Sequence, residues 1–324
     1  MAMAKNRILW IDWLKAVFIY VVVLYHCKAW NFYIQATFPT FFAIAGYLFD
    51  PGRYSFKQFA RRRCRQVLVP YLVFGVIFYA LWLVMALVHS HRTGEAVNYL
   101  KPLLELCSGY PTTIVGAYWF ANALLVMQLL YYALLRWVPA RWHLPVTMLV
   151  SAVNYYLFYT EFWALTNVAL YMPFYVFGVQ CKGLLSRQHL DTGLKRLLGL
   201  LAIIAIVWLL SYAYCHFDRG LHNVLMLVLQ FGVVTFTFWL AQWWAQVCHV
   251  QWLNRCVTFI ASGAIIYLAV QNDVILYLGM VAQRVLHLTV SPALGVAISV
   301  ATMIVAALIV CIFPLNRIIY QHSK

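Results

Sequence analysis

Long apolar runs alternate with short polar breaks along the whole chain. The runs cover about 8–28, 37–50, 67–89, 116–136, 144–160, 165–181, 197–215, 222–247, 257–279 and 292–313. A helix that crosses a bilayer takes roughly 20 mostly apolar residues, fewer where it is irregular. The pattern predicts an all-α polytopic membrane helix bundle of about ten transmembrane helices. The second run is short, and Pro39, Gly46 and Gly52 punctuate it. No Pro/Gly/Ser-rich linker interrupts the series, so residues 1–324 are expected to form a single transmembrane domain in contact with the lipid bilayer.

Composition strengthens that reading. Hydrophobic residues make up 65% of the chain and charged residues 10%, whereas a soluble domain keeps about a quarter of its residues charged. The net charge of +15 does not point to nucleic acid, because the basic residues sit between apolar runs, where the positive-inside rule puts them. The eight cysteines have no CxxC spacing, and neither a disulfide framework nor a metal site is expected. The first run carries Asp12 and Lys15 and no small-residue cleavage site, so it is expected to remain as the first helix.

An even number of crossings puts both termini on one side. With both termini cytoplasmic, the inner loops and helix ends hold Lys5, Arg7, Arg53, Lys57, Arg61, Arg62, Arg63, Arg65, Arg136, Arg141, Lys182, Arg187, Lys195, Arg196, Arg255, Arg317 and Lys324. The outer side holds Lys28, Arg92, Lys101, Arg219 and Arg284. This asymmetry in short loops sets the orientation. No internal repeat of the kind many transporters show is visible.

Ionisable groups inside a membrane are costly and default to a functional reading. At about 100° per residue, Lys15 and His26 share one face of the first helix, about 16 Å apart along its axis, with Asp12 close to the same stripe. Asp12 and Lys15 also read as a local pair at i,i+3, and His26 as an interfacial residue at a helix end. Arg61, Arg62, Arg63 and Arg65 form a second cluster. Any inner loop needs basic residues, yet Arg62 and Arg65 stand three apart, so that on a helix both could reach one phosphate.

In order along the chain, several short motifs resemble those of the acyltransferase 3 family of integral membrane enzymes. Lys15, ten residues and then His26 look like the family's basic-residue-to-histidine signature. Phe41, Phe42, Gly46, Tyr47 and Leu48 are similar to its FFxxxGYL stretch. Arg62, Arg65, Pro70 and Tyr71 resemble its paired arginines before a proline, and Tyr118, Trp119 and Phe120 its Trp-centred helix start. Tyr171, Pro173, Phe174 and Gly178 resemble its YxPFFxxG helix, and Ser262, Gly263, Tyr267 and Leu268 the start of its late motif. The resemblance runs from about residue 8 to 280. It departs at Gln271, where many members place a histidine, with Asn272 and Asp273 following.

The resemblance implies a multi-pass acyltransferase of a bacterial plasma (inner) membrane. Its co-substrate would be acyl-CoA, with acetyl-CoA expected, and its acceptor a hydroxyl of a surface glycan or glycolipid. Arg61, Arg62, Arg65 and Lys15 would hold the donor, and His26 would act as general base or carry the acyl group. Asp12, Trp119, Tyr267 and Gln271 are candidate substrate contacts. Counted from the inner helix ends at ~1.5 Å per residue, His26, Asp273 and Glu161 lie about 27, 24 and 26 Å along. Asp273 first, then Glu161, are therefore candidates to orient the imidazole. A transporter or flippase for a polysaccharide or lipid-linked sugar is the alternative.

Overall fold

The computed structural model of the protein describes residues 8–29, 37–52, 54–157, 159–185, 199, 219–289 and 291–312. Regular structure among them is entirely helical: α1 (Leu9–His26), α2 (Thr37–Tyr47), α3 (Phe56–Thr93), α4 (Lys101–Ser108), α5 (Trp119–Trp137), α6 (His143–Leu157), α7 (Leu165–Leu185), α8 (Arg219–Val247), α9 (Gln251–Ser262), α10 (Ala264–Met280) and α11 (Pro292–Ile312). Among the described residues, six spans are long and apolar enough to cross a membrane: Leu9–His26, Phe56–Thr93, Gly116–Trp137, Phe162–Lys182, Ala264–Val285 and Pro292–Ile312. The apolar run at 197–215 lies outside the described residues, residue 199 excepted.

Two expected segments are built differently. The run at 257–279 is broken at Gly263 into α9 and α10. A Cβ on Gly263 would stand 2.7 Å from Val310 of α11, so the break lets α11 approach closely. The run at 67–89 is only part of α3, which starts at Phe56 behind a capping box. Ser55 Oγ accepts from the Gln58 amide, and Gln58 Oε1 accepts from the Ser55 amide. That cap satisfies orphan donors of the first turn and makes the arginine cluster helical. At ~1.5 Å per residue α3 is about 57 Å long, well beyond the ~30 Å hydrocarbon core.

The centre of the bundle is an aromatic core joined by a close helix crossing. A Cβ on Gly46 of α2 would lie 1.9 Å from the Tyr175 carbonyl oxygen of α7, and one on Gly178 would lie 1.9 Å from that of Ala43. Only hydrogens fit between these backbones. The crossing stacks Phe42 on Tyr171 with centroids 5.0 Å apart and sets Phe38 5.3 Å from Trp119. The glycines of the two motif-like stretches therefore serve one contact, as small residues do between membrane helices.

Contacts along α11 fix relative depth in the bundle. Near its start, a Cβ on Gly295 would meet the Cys27 carbonyl oxygen at 2.7 Å and Ala29 at 2.9 Å; near its end, Val310 meets Gly263. The two contacts are about 22 Å apart along the helix.

Candidate functional site

The first helix carries its polar residues as the periodicity predicts. Asp12 is buried and accepts a hydrogen bond from Thr258 Oγ1 at 3.3 Å, while Trp13 Nε1 donates to Asn254 at 2.9 Å. Both contacts tie the start of α1 to α9. Lys15 is half-buried one turn on. His26 is exposed in the last turn, its ring beside that of Tyr25 at 5.5 Å. The turn beyond it is strained, with Lys28 at φ 54, and rests on Gly295.

The arginines are not in a loop. Tyr132 near the end of α5 donates to the Tyr54 carbonyl at 2.9 Å, and Tyr118 just before α5 donates to the Val67 carbonyl at 2.7 Å. Arg61, Arg62, Arg63 and Arg65 therefore lie on α3 alongside α5 rather than past its end. Arg62 donates to the Tyr54 hydroxyl, with its guanidinium over that ring at 5.1 Å. Arg63 donates to Gln66 at 3.3 Å and covers Phe59 at 5.6 Å. Arg61 and Arg65 are exposed. Three residues apart on a helix, Arg62 and Arg65 share a face.

The chain between α3 and α5 does not simply turn outside the bundle. It passes Gly94, left-handed at φ 71, and comes back along α3. Tyr79 donates to the Tyr99 carbonyl at 3.2 Å, Leu106 packs 3.1 Å from where a Gly75 Cβ would be, Tyr71 donates to the Leu106 carbonyl at 2.8 Å, and Tyr118 reaches Val67. Positions 79, 75, 71 and 67 form one i,i+4 stripe. Residues 99–118 thus descend along α3 and end in an irregular strap, 109–118, with Ile114, Val115, Ala117 and Tyr118 buried.

Side chains from three helices hold that strap. Glu105 of α4 accepts from the Thr112 and Thr113 amides at 3.0 and 2.7 Å. Asn122 of α5 donates to the Gly109 carbonyl at 2.8 Å. Asp273 of α10, 5% exposed, accepts from the Val115 amide at 3.0 Å. Val115 is left-handed at φ 45, a conformation costly for a β-branched residue. Counted at ~1.5 Å per residue, Asp273 lies about 15 Å along α10 from Gly263, and the turn after His26 meets α11 about 22 Å along that helix from the same glycine.

Among the described residues, four amide atoms in this region are buried without a partner: Gln271 Nε2 and Oε1, Asn272 Oδ1 and Asn122 Oδ1. Gln271 is 1% exposed. An unmet buried polar group costs about 1–3 kcal/mol, so these atoms call for water or a ligand. Tyr267 is buried one turn before Gln271 on α10. Trp119 is half-buried beside Tyr110, Phe38 and Phe120. Glu161 is exposed and accepts from the Tyr159 hydroxyl at 3.1 Å, so its described contact is with its own loop. Sequence reasoning missed Glu105 and Asn122; Gly109, Pro111, Thr112 and Thr113 signal a turn but not what anchors it.

A family model described as an acyltransferase domain matches residues 8–311. No curated protein and no solved structure matches the chain.

Proposed function

From the premise that the chain belongs to the acyltransferase 3 family, we propose that it moves an acyl group, acetyl as the expected case, from cytoplasmic acyl-CoA to a hydroxyl of a surface glycan or glycolipid. The observation that carries this reading is the family match over residues 8–311. The proposed topology is about ten crossings with both ends cytoplasmic, in a bacterial inner membrane.

The roles follow from the side chains. Arg62 and Arg65 take the phosphates of CoA through planar, charge-assisted forks, with Arg61 and Lys15 adding positive charge. His26 takes the proton from the acceptor hydroxyl. The oxygen attacks the thioester carbonyl, the C–S bond breaks, and the CoA thiolate recovers the proton from the imidazolium. Gln271 and Tyr267 offer hydrogen bonds to the reacting groups, and Asp12 holds the start of α1.

Radiolabelled acetyl-CoA given to the purified protein with surface glycans tests the reading. Wild type should label the glycan, and His26→Ala should lose nearly all transfer while remaining folded and able to bind acetyl-CoA. Substantial transfer by the alanine variant would overturn the role of His26. No transfer by wild type to any glycan or glycolipid would overturn the assignment.

A further inference from the structure

We propose that strap 109–118, with Trp119 after it and Trp163 packed on Gly109, forms the subsite that holds a sugar ring of the acceptor, and that Asp273 is the positioning residue that fixes it. This rests on the acyltransferase reading above and adds where the acceptor is bound and by what.

The strap packs against α3 at Val67 and Tyr71, where its apolar run begins, and against Asp273 midway along α10. Irregular backbone at membrane depth is tolerated where it is buried in protein or lines a polar cavity. Three polar side chains from separate helices, and a left-handed valine, are a large investment for a connection. Strained backbone of this kind persists where the surroundings over-determine it, and it clusters at ligand sites.

The chemistry beside the strap selects the ligand. Tyr110 and Trp119 are half-buried with centroids 6.1 Å apart. Trp163, itself left-handed at φ 47, lies against Gly109, where a Cβ would come within 2.6 Å of its ring. The unpartnered Asn122 and Asn272 oxygens are acceptors without donors, and Asn272 lies against Gly116 of the strap. Flat rings beside unmet acceptors fit a pyranose, which offers C–H faces to the aromatics and hydroxyl donors to the amides. A bare acyl chain would leave the amide oxygens unmet.

Asp273 acts here through its acceptor oxygen, so Asp273→Asn keeps the contact to the Val115 amide and Asp273→Ala removes it. The assay uses vesicles, radiolabelled acetyl-CoA and titrated oligosaccharide released from the cell surface. Trp119→Leu should raise the apparent KM for oligosaccharide about tenfold, Trp119→Phe should restore most of it, and the KM for acetyl-CoA should stay within about twofold. Asp273→Ala should show the same split and faster hydrogen exchange at the Val115 amide, and Asp273→Asn should recover both. If Trp119→Leu moves the KM for acetyl-CoA as much as that for oligosaccharide, or moves neither, the sugar subsite is wrong. If Asp273→Asn protects Val115 yet is as inactive as Asp273→Ala, Asp273 works through its charge and the positioning role is wrong. Failure of wild type to transfer label, by contrast, defeats the underlying acyltransferase reading.

Discussion

Replacing Gly46 by alanine puts a methyl carbon 1.9 Å from the Tyr175 carbonyl oxygen and 2.8 Å from its carbon. Ordinary contact begins near 3.4 Å, so α2 and α7 must separate by about 1.5 Å to reach the spacing of a packed interior. Both obstacles are backbone, so no rotamer change relieves them. Overpacking in a well-packed core costs about 1–3 kcal/mol, and an immovable carbonyl puts this site at or above the upper end. Gly178→Ala makes the reciprocal clash with Ala43 at 1.9 Å. Because one separation relieves both, the double variant should lose clearly less than the sum of the single losses. Thermal unfolding of the detergent-solubilised protein, followed by loss of monodisperse signal, measures this. Each single variant should melt well below wild type, with the double variant only slightly lower again. A Gly46→Ala protein that melts with wild type would refute the crossing, and strict additivity would refute the shared contact.

The same geometry yields three further expectations. A reporter fused after residue 324 should behave as cytoplasmic and one inserted near residue 97, before the chain turns back along α3, as external; either reversed result overturns the orientation. Alanine at Arg62 or Arg65 should raise the apparent Kd for acetyl-CoA roughly tenfold in correctly inserted protein, and lysine should restore only part because it lacks the fork; unchanged binding would leave both arginines a topological role alone. Gly109→Ala meets both a left-handed backbone at φ 71 and the Trp163 ring at 2.6 Å, so it should destabilise by about 1–3 kcal/mol and speed proteolysis within 109–118; a protease pattern like wild type would count against the packing of Trp163 on the strap.

The periodic features were legible in the sequence, because a helix wheel and a rise per residue are properties of one segment. The polar stripe of Asp12, Lys15 and His26 needs nothing beyond about 100° per residue, and the shared face of Arg62 and Arg65 follows once that stretch is helical. Azimuth is different, because it depends on which neighbour lies across the interface. Depth arithmetic therefore raised Asp273 as a partner for the imidazole, whereas its described hydrogen bond goes to the Val115 amide, far away in the chain. α4 escaped notice because its eight residues include Lys101 and Glu105 and carry no long apolar run. The arginine cluster reads as a loop when charge alone is weighed, since nothing local reveals the Tyr132 and Tyr118 contacts that lay α5 beside it.

That placement changes the electrostatic problem for the donor. A guanidinium in an inner loop would meet phosphate in water, where an ion pair at about 4 Å is worth about 1 kcal/mol and salt screens it further. Alongside α5, with the Tyr54 ring beneath Arg62 and the Phe59 ring beneath Arg63, the half-buried Arg62 would attract a phosphate more strongly than the exposed Arg65, whose charge stays in a high dielectric. Holding such a charge there without an anion is correspondingly expensive. The Tyr54 hydroxyl meets Arg62 with a neutral oxygen. A phosphate arriving there would supply a charged partner that the hydroxyl cannot match. The strap offers the complementary arrangement: neutral, acceptor-rich and aromatic, it suits an uncharged polyol and gives little to an anion. Tyr118 meets α3 at Val67, about 200° around the helix from Arg65, so the strap and the proposed donor face lie on opposite sides of α3.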